Sequence, residues 1–128
     1  MASCDIQHYL LCLDSSESAK AAMKRGLCIA NPADTLTVFC AYPAGSKEEA
    51  EKIQAGAKDS LLRSGNICTL KFAMVEGNEP KETILEYARE HGITTIVMGR
   101  SGSGAASMLG SVSSHVVACS PCSVLVVK

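Results

Sequence analysis

The sequence lacks an excess of charge of either sign. Its 128 residues include 12 basic and 13 acidic side chains, which gives a formal net charge of −1 at neutral pH. Proteins that bind nucleic acids or anionic membrane surfaces usually carry a basic patch or a polybasic segment, and the sequence shows neither. We therefore expect no nucleic acid and no membrane among the partners of this chain.

Long apolar runs, low-complexity segments and internal repeats are also missing. No apolar stretch reaches the roughly 18 residues that a membrane-spanning helix needs. Hydrophobic residues make up 47% of the chain, which is enough for a folded core. The first five residues have neither the basic nor the apolar region of a signal peptide, so we expect a cytoplasmic protein. The length predicts one domain over residues 1–128.

Cysteine, in contrast, is plentiful, with seven residues in the chain. Cys119 and Cys122 have the C-x-P-C spacing of dithiol redox motifs. In those motifs the first thiol lies at a helix N-terminus, which lowers its pKa, whereas this pair follows a predicted helix and precedes a predicted strand. No second C-x-x-C pair is present to complete a tetrahedral metal site. The sequence therefore favours reduced, structural thiols and no bound metal at this pair.

Short apolar runs alternate with helical patterns along the chain. Strands are predicted over residues 8–13, 35–41, 69–75, 95–98 and 123–127, and helices over residues 16–30, 46–63, 80–91 and 111–118. Strands that alternate with helices predict the α/β class, with a doubly wound, five-stranded parallel sheet of the Rossmann-like kind.

Local signals mark several helix ends and one buried face. Ser46 and Glu49 have the spacing of a capping box at the start of the second helix. Pro80 suits the first position of the third helix, and Gly92 suits the residue that ends it. The residues predicted to form the buried stripe of the second helix are Ala50, Ile53, Ala57 and Leu61.

Glycines follow the fourth predicted strand and precede the last predicted helix. Gly99 and Gly102 come directly after the strand, and Gly110 and Ser111 stand at the helix start. Glycines allow backbone N–H groups to approach an anion, and a helix N-terminus adds unpaired N–H groups with a partial positive charge. Glycines that serve only tight turns are the alternative interpretation. The loop is not a Walker A motif, because no Gly-Lys-Ser/Thr follows.

Asp14 follows the first predicted strand. In doubly wound sheets the ligand lies beyond the carboxyl ends of the strands where the strand order reverses. If the first strand is central, Asp14 and Gly99 flank that position. Asp14 is then placed to accept hydrogen bonds from a ribose or a base, and it also suits the start of the following helix.

The chain resembles a universal stress protein domain over nearly its whole length. The segments that carry the resemblance are residues 11–16, 96–102, 110–113 and 119–127. The nucleotide-binding branch of that family carries Gly, two residues, Gly, nine residues, then Gly and Ser or Thr. The same order occurs here at Gly99, Gly102, Gly110 and Ser111, with seven residues instead of nine before Gly110. Because the loop is shorter, AMP or ADP competes with ATP as the expected ligand.

The resemblance implies an adenine nucleotide site, with or without Mg²⁺, and the strand order 3-2-1-4-5. It also implies a homodimer paired through residues 123–127, which would cover an apolar edge strand. By the same resemblance Asp14 would contact the adenosine, with Cys12 and Ala41 beside the adenine. The residues implied for the ribose phosphate end are Met98, Gly99, Gly102, Gly110, Ser111 and Val112.

Three functions remain open for such a domain. The first is a dimeric, ATP-binding or adenine-nucleotide-binding regulatory module of the stress response. The second is a nucleotide-free interaction protein of the same fold, and the third is a slow ATP hydrolase. His8, His91 and His115 are scattered over a strand start, a helix end and a helix surface, and none is spaced to activate a nucleophile. We therefore expect a binding protein and not an enzyme.

Overall fold

The chain alternates strands and helices in the computed structural model, which describes residues 6–14, 16–65, 68–100 and 110–128. The elements are β1 His8–Cys12, α1 Glu17–Ile29, β2 Thr35–Tyr42, α2 Lys47–Arg63, β3 Thr69–Glu76, α3 Pro80–Glu90, β4 Thr95–Gly99, α4 Ser111–Cys119 and β5 Ser123–Val127. The predicted α/β alternation is confirmed, and the strand ends differ from the prediction by at most one residue.

The five strands form one parallel sheet in the order β3-β2-β1-β4-β5. This confirms the predicted doubly wound architecture and its strand order. The order reverses between β1 and β4, so the carboxyl ends of these two central strands open a crevice at one edge of the sheet. Within the described residues, no helix is both long enough and apolar enough to span a membrane.

The core has one layer on each face of the sheet. Side chains alternate between the faces along a strand, so Leu10 and Leu11 are both fully buried but in different layers. Leu11 packs with residues of α1 and α2, and Leu10 packs with residues of α3 and α4. Burial on both faces explains why the central strands read as continuous apolar runs.

The helix ends follow the predicted signals except at α2. The Ser16 hydroxyl accepts a hydrogen bond from the Ala19 N–H at 3.2 Å, which caps α1. Pro80 is the first residue of α3, and Gly92 follows its end with a left-handed φ of 62°. The predicted capping box at Ser46 is wrong, since its side chain caps no N–H group. Ser46 has φ −110° and ψ 19°, not the extended conformation that aims a capping side chain at the first turn.

The buried stripe of α2 differs from the predicted one at a single position. Gln54 is buried, whereas Ile53 is only half-buried. The Gln54 side chain donates from Nε2 to the carbonyl oxygens of Val38 and Ala73, each at 3.0 Å. These bonds tie α2 to β2 and β3 and offset part of the cost of burying the amide, whose Oε1 has no hydrogen-bond partner among the described residues. Ile53 is instead one of the partly buried residues that pack against the core layer of α1 and α2.

Candidate functional site

A cavity of about 350 Å³ lies at the carboxyl ends of β1 and β4, and we call it the carboxyl-end cavity. Its size falls within the range of small-molecule sites. The residues that line it come from both faces of the sheet and from the starts of three helices: Cys12, Leu13, Asp14, Ser16, Ser18, Ala19, Phe39, Ala41, Pro80, Ile84, Met98, Gly99, Gly110, Ser111, Val112 and Ser113.

Most of the residues predicted for ligand binding meet in this cavity. Those that line it are Cys12, Asp14, Ala41, Met98, Gly99, Gly110, Ser111 and Val112. They are far apart in the sequence, and the strand order brings them to one edge of the sheet. Gly102, the remaining predicted residue, lies outside the described residues.

Asp14 stands at the mouth of the cavity with an exposed side chain. One carboxylate oxygen, Oδ1, accepts a hydrogen bond from the Ser16 N–H at 2.8 Å, which fixes the side chain at the start of α1. The other oxygen has no hydrogen-bond partner among the described residues. Asp14 therefore combines the helix-start role with a free acceptor, as the sequence suggested.

Gly99 ends β4 where α1 crosses close above the strand. A Cβ atom at this position would lie 2.5 Å from Ser18 Oγ and 2.6 Å from the Ser18 carbonyl carbon. These distances are too short for any side chain, and the second atom belongs to backbone that has little freedom to move. The close packing of α1 thus requires glycine here by itself. Sequence reasoning assigned Gly99 to a phosphate site or to a tight turn, and it missed this packing role.

The start of α4 is anchored to the end of β4. The Arg100 carbonyl accepts hydrogen bonds from the Gly110 N–H at 2.9 Å and from the Ser113 hydroxyl at 2.6 Å. The Arg100 N–H donates to the Val127 carbonyl at 3.0 Å. These bonds join the residue after β4 to the start of α4 and to the end of β5, and they hold α4 beside the crevice.

The anchoring leaves two backbone donors at the first turn of α4. The Gly110 N–H is engaged, whereas those of Ser111 and Val112 have no acceptor among the described residues. N–H groups of a first helical turn have no partner within the helix, and the helix dipole adds partial positive charge. Both groups, together with the exposed Ser111 hydroxyl, suit an anion.

An apolar wall faces these donors, and sequence reasoning missed most of it. Pro80 and Ile84 from α3, with Phe39 from β2 and Met98 from β4, line this part of the cavity. Phe39, Ile84 and Met98 are buried, so the wall is held by the core. A flat aromatic ring fits such a surface. The sequence assigned Pro80 only to the first position of α3 and gave no sign that α3 contributes to a binding site.

The thiols of Cys12, which lines the cavity, and of Cys40, which does not, are buried and are not reactive groups. Burial, with smaller contributions from Cys40 and Asp14, raises the pKa of Cys12 far above its ordinary value. Burial also raises the pKa of Cys40 to about 11, with further contributions from Asp14 and Glu49. Both thiols are therefore neutral at physiological pH, and Cys12 acts as a small apolar group in the cavity wall. Within the described part of the chain, no cluster of three His, Cys, Asp or Glu side chains is suited to a metal ion.

The histidines lie away from the residues that line the cavity. His115 Nε2 lies 2.6 Å from Glu82 Oε1, a contact that links α4 to α3 on the surface. The His91 ring stacks on Tyr87 with centroids 3.8 Å apart. Both histidines have local structural partners.

Comparison with known proteins gives consistent matches. The profile of the universal stress protein family matches residues 6–128. Universal stress protein YxiE of Bacillus subtilis (strain 168) is 39% identical over 84 residues, which are 64% of this chain and 55% of the relative. The match thus spans about half the length of that curated relative.

Solved structures match over almost the entire chain. Universal stress protein UspA from Lactobacillus plantarum is 27% identical with a TM-score of 0.78, and the match covers 98% of this chain and 100% of that one. The universal stress protein from Archaeoglobus fulgidus in complex with dAMP is 20% identical with a TM-score of 0.77, covering 97% and 98% of the two chains. Both share the fold of this chain.

Proposed function

The chain belongs to the universal stress protein family, and from this premise we propose that it binds an adenine nucleotide in the carboxyl-end cavity. The observation that carries the proposal is the convergence of Asp14, Gly99 and the first turn of α4 on one cavity at the point where the strand order reverses. The dAMP complex of the Archaeoglobus fulgidus relative supports the choice of an adenine nucleotide.

The residues of the cavity suit the parts of such a ligand. The apolar wall at Pro80 and Ile84 would pack against the adenine ring, beside Cys12 and Ala41. The free oxygen of Asp14 would accept hydrogen bonds from ribose hydroxyls or from the adenine amino group. The ribose phosphate end would lie at the first turn of α4. This arrangement needs only binding, which fits a protein that senses a nucleotide.

The number of phosphates is a second part of the proposal. The described residues that line the cavity include no lysine or arginine, so the phosphate donors among them are backbone N–H groups and hydroxyls. A few neutral donors suffice for a monophosphate, whereas a triphosphate carries more charge than they offset. We therefore expect AMP and ADP to bind without metal, and ATP to bind together with Mg²⁺.

We further propose that the protein is a single-domain, homodimeric regulatory module of the cytoplasm and not an enzyme. In the described sheet, β5 pairs with β4 on one side only, and its residues Val124 to Val127 are apolar and half-buried. A second copy paired at this edge would remove an aggregation-prone surface. The six cysteines within the described residues are free thiols, which suits a reducing compartment.

Calorimetric titration with AMP, and with ATP in the presence and absence of Mg²⁺, tests the proposal. We expect Asp14→Ala to weaken AMP binding by about 10- to 100-fold, because it removes a charged hydrogen-bond acceptor. Asp14→Asn keeps the acceptor for the Ser16 N–H and loses the charge, so it separates helix-end effects from ligand contact.

Asp59→Ala is the matched control, since Asp59 is an exposed residue of α2 that pairs with Arg63 at 3.4 Å and lies outside the cavity. It should bind AMP as the unmodified protein does. An intact dimer that binds neither AMP nor ATP at millimolar concentration would contradict the proposal and favour the nucleotide-free interaction protein. Nucleotide turnover that Asp14→Ala abolishes while binding persists would favour the slow hydrolase.

A further inference from the structure

A second cavity, of about 470 Å³, lies between α1 and α2 on the face of the sheet away from α3 and α4. We call it the α1–α2 groove. The residues that line it are Leu13, Asp14, Ser16, Ala19, Lys20, Met23, Lys24, Lys52, Ile53, Gly56, Ala57 and Ser60. The groove exists because α1 packs over β1, β4 and β5, whereas α2 packs over β2 and β3. The two helices are thereby held apart above the boundary between β1 and β2.

We propose that the α1–α2 groove binds a linear alkyl carboxylate, the chemical class of the fatty acids. The proposal rests on three features of the described residues: an apolar floor, a rim of ammonium groups, and a helical glycine that has no other evident purpose. It does not depend on nucleotide binding in the carboxyl-end cavity.

The floor of the groove is apolar. Leu13, Ala19 and Ala57 are buried at its base, and Met23 and Ile53 are half-buried on its walls, one on each helix. An alkyl chain laid between Met23 and Ile53 would cover their remaining exposed surface. Removing this apolar surface from water would stabilise the contact. The floor therefore suits a chain of methylene groups.

The rim is cationic. Lys20 and Lys24 of α1 face Lys52 of α2 across the groove, and Asp14 is the single acidic residue among those that line it. Lys20 forms an exposed ion pair with Glu17 at 3.1 Å. Within the described residues, no carboxylate lies within ion-pairing distance of Lys24 or Lys52. A carboxylate at the head of an apolar chain complements this charge pattern.

Gly56 supplies the third feature. It lies inside α2, where glycine weakens a helix relative to alanine. It does not have a positive φ, and a Cβ atom added to it would meet no atom within 4 Å. Neither backbone conformation nor packing within the described protein requires glycine there, in contrast to Gly99. The missing side chain leaves open space in the wall of the groove, which a ligand can fill.

Titration of the ¹⁵N-labelled protein with decanoate, followed by NMR and calorimetry, tests the proposal. We expect amide shifts concentrated at Gly56, Ala57 and the facing turn of α1. The neutral match, 1-decanol, should bind at least about threefold more weakly, since each exposed ion pair contributes a factor of this order. The triple variant K20A/K24A/K52A should bind decanoate about tenfold more weakly, or weaker still.

Gly56→Leu is the most direct test of the binding site, because the leucine side chain would occupy the groove. It should weaken decanoate binding by at least about tenfold and raise the melting temperature, since leucine is the better helix former. Ala55→Leu is its matched control, an exposed neighbour on α2 that does not line the groove, and it should leave binding unchanged. Lys58→Ala is the control for charge, because Lys58 lies over the Phe72 ring at 5.8 Å, outside the groove.

Four results would overturn the proposal. One is the absence of saturable binding at millimolar decanoate, and another is equal affinity for decanoate and 1-decanol. The third is binding that Gly56→Leu leaves unchanged, which would place the ligand elsewhere. Self-association that Gly56→Leu abolishes, without decanoate binding, would assign the groove to a second copy of the chain and would also overturn the proposal.

Discussion

The carboxyl-end cavity and the α1–α2 groove share Leu13, Asp14, Ser16 and Ala19, yet they offer ligands opposite kinds of recognition. The described donors of the cavity are backbone N–H groups and hydroxyls, held by the first turn of α4 and its bonds to Arg100. The groove offers three lysine ammonium groups on flexible stems. Fixed neutral donors select a ligand by the positions of its acceptor atoms, whereas mobile charged groups select it only by the sign of its charge.

The difference follows from where each site lies in the fold. The cavity stands at the carboxyl ends of β1 and β4, so strand ends and helix starts fix its walls. The groove lies between two helices that pack on different strands, and long side chains cover its rim. From this contrast we expect the cavity to be specific and sensitive to small changes of backbone, and the groove to be tolerant and sensitive to ionic strength.

The largest expected effect is on the free energy of unfolding, which should change in opposite directions when the glycine of each site is replaced by alanine. Gly99→Ala should lower the free energy of unfolding by about 3 kcal/mol, because its Cβ would lie within 2.7 Å of three atoms of Ser18. Gly56→Ala should raise it by about 1 kcal/mol, because the space is open and alanine favours the helix. Chemical denaturation of both variants measures the two changes.

Gly26→Ala is the control for glycine inside a helix. Its Cβ would meet the Leu36 side chain at 3.7 Å, which is an ordinary contact distance. Helix propensity should therefore dominate, and Gly26→Ala should raise the free energy of unfolding. A Gly99→Ala protein as stable as the unmodified one would show that α1 shifts freely over β4. The assignment of Gly99 to helix packing would then be wrong.

The architecture was predictable because its signals are local or periodic. Strands buried on both faces give apolar runs, and Pro80 and Gly92 mark the ends of α3 through their own backbone preferences. The capping box at Ser46 failed since a residue pattern does not specify φ and ψ at the helix start. The sequence predicted Ile53 in the buried stripe of α2, where the structure has Gln54. This could not be predicted locally, because the carbonyl groups that hold Gln54 belong to strands elsewhere in the chain.

The carboxyl-end cavity was predictable where its residues belong to a motif and hidden where they belong to packing. Gly110 and Ser111 form part of a pattern that resembles a known family, so their place beside the crevice was expected. Pro80 and Ile84 join the cavity only because α3 lies beside β2 and β4 in space. The α1–α2 groove had no signal in the sequence, since Lys24 and Lys52 are far apart in the chain and belong to no motif.

The buried thiol of Cys40 in β2 contrasts with the exposed ammonium groups of the groove, and its titration gives the next largest expected effect. The folded state holds the pKa of Cys40 at about 11, above the value of 9.0 for an ordinary thiol. Below pH 9 the thiol is neutral in both states. Between about pH 9 and 11 the unfolded chain loses this proton and the folded chain keeps it, so the free energy of unfolding falls.

Denaturation at a series of pH values from 8 to 11 measures this loss. In Cys40→Ala the free energy of unfolding should fall less steeply with pH than in the unmodified protein. The two slopes should differ by at most about 1.4 kcal/mol per pH unit, the value for one proton. Cys28→Ala serves as the control, because the Cys28 thiol is exposed, and its slope should match that of the unmodified protein. Identical slopes for all three proteins would show that the Cys40 thiol gains no protection on folding.

The smallest expected effect is the response of the two sites to salt, and it tests the contrast between them directly. Raising the ionic strength from about 0.01 M to about 0.1 M shortens the Debye length from about 30 Å to about 10 Å.

Decanoate should lose about threefold in affinity for the groove, because Lys20, Lys24 and Lys52 attract it through solvent-exposed charge. AMP should lose less, since the donors among the described residues of the cavity are neutral backbone N–H groups and hydroxyls. Parallel calorimetric titrations at both ionic strengths give the comparison, with K20A/K24A/K52A as the reference in which the salt dependence of decanoate should vanish. An affinity for AMP that falls more steeply than that for decanoate would mean that mobile charges, and not the first turn of α4, hold the phosphate.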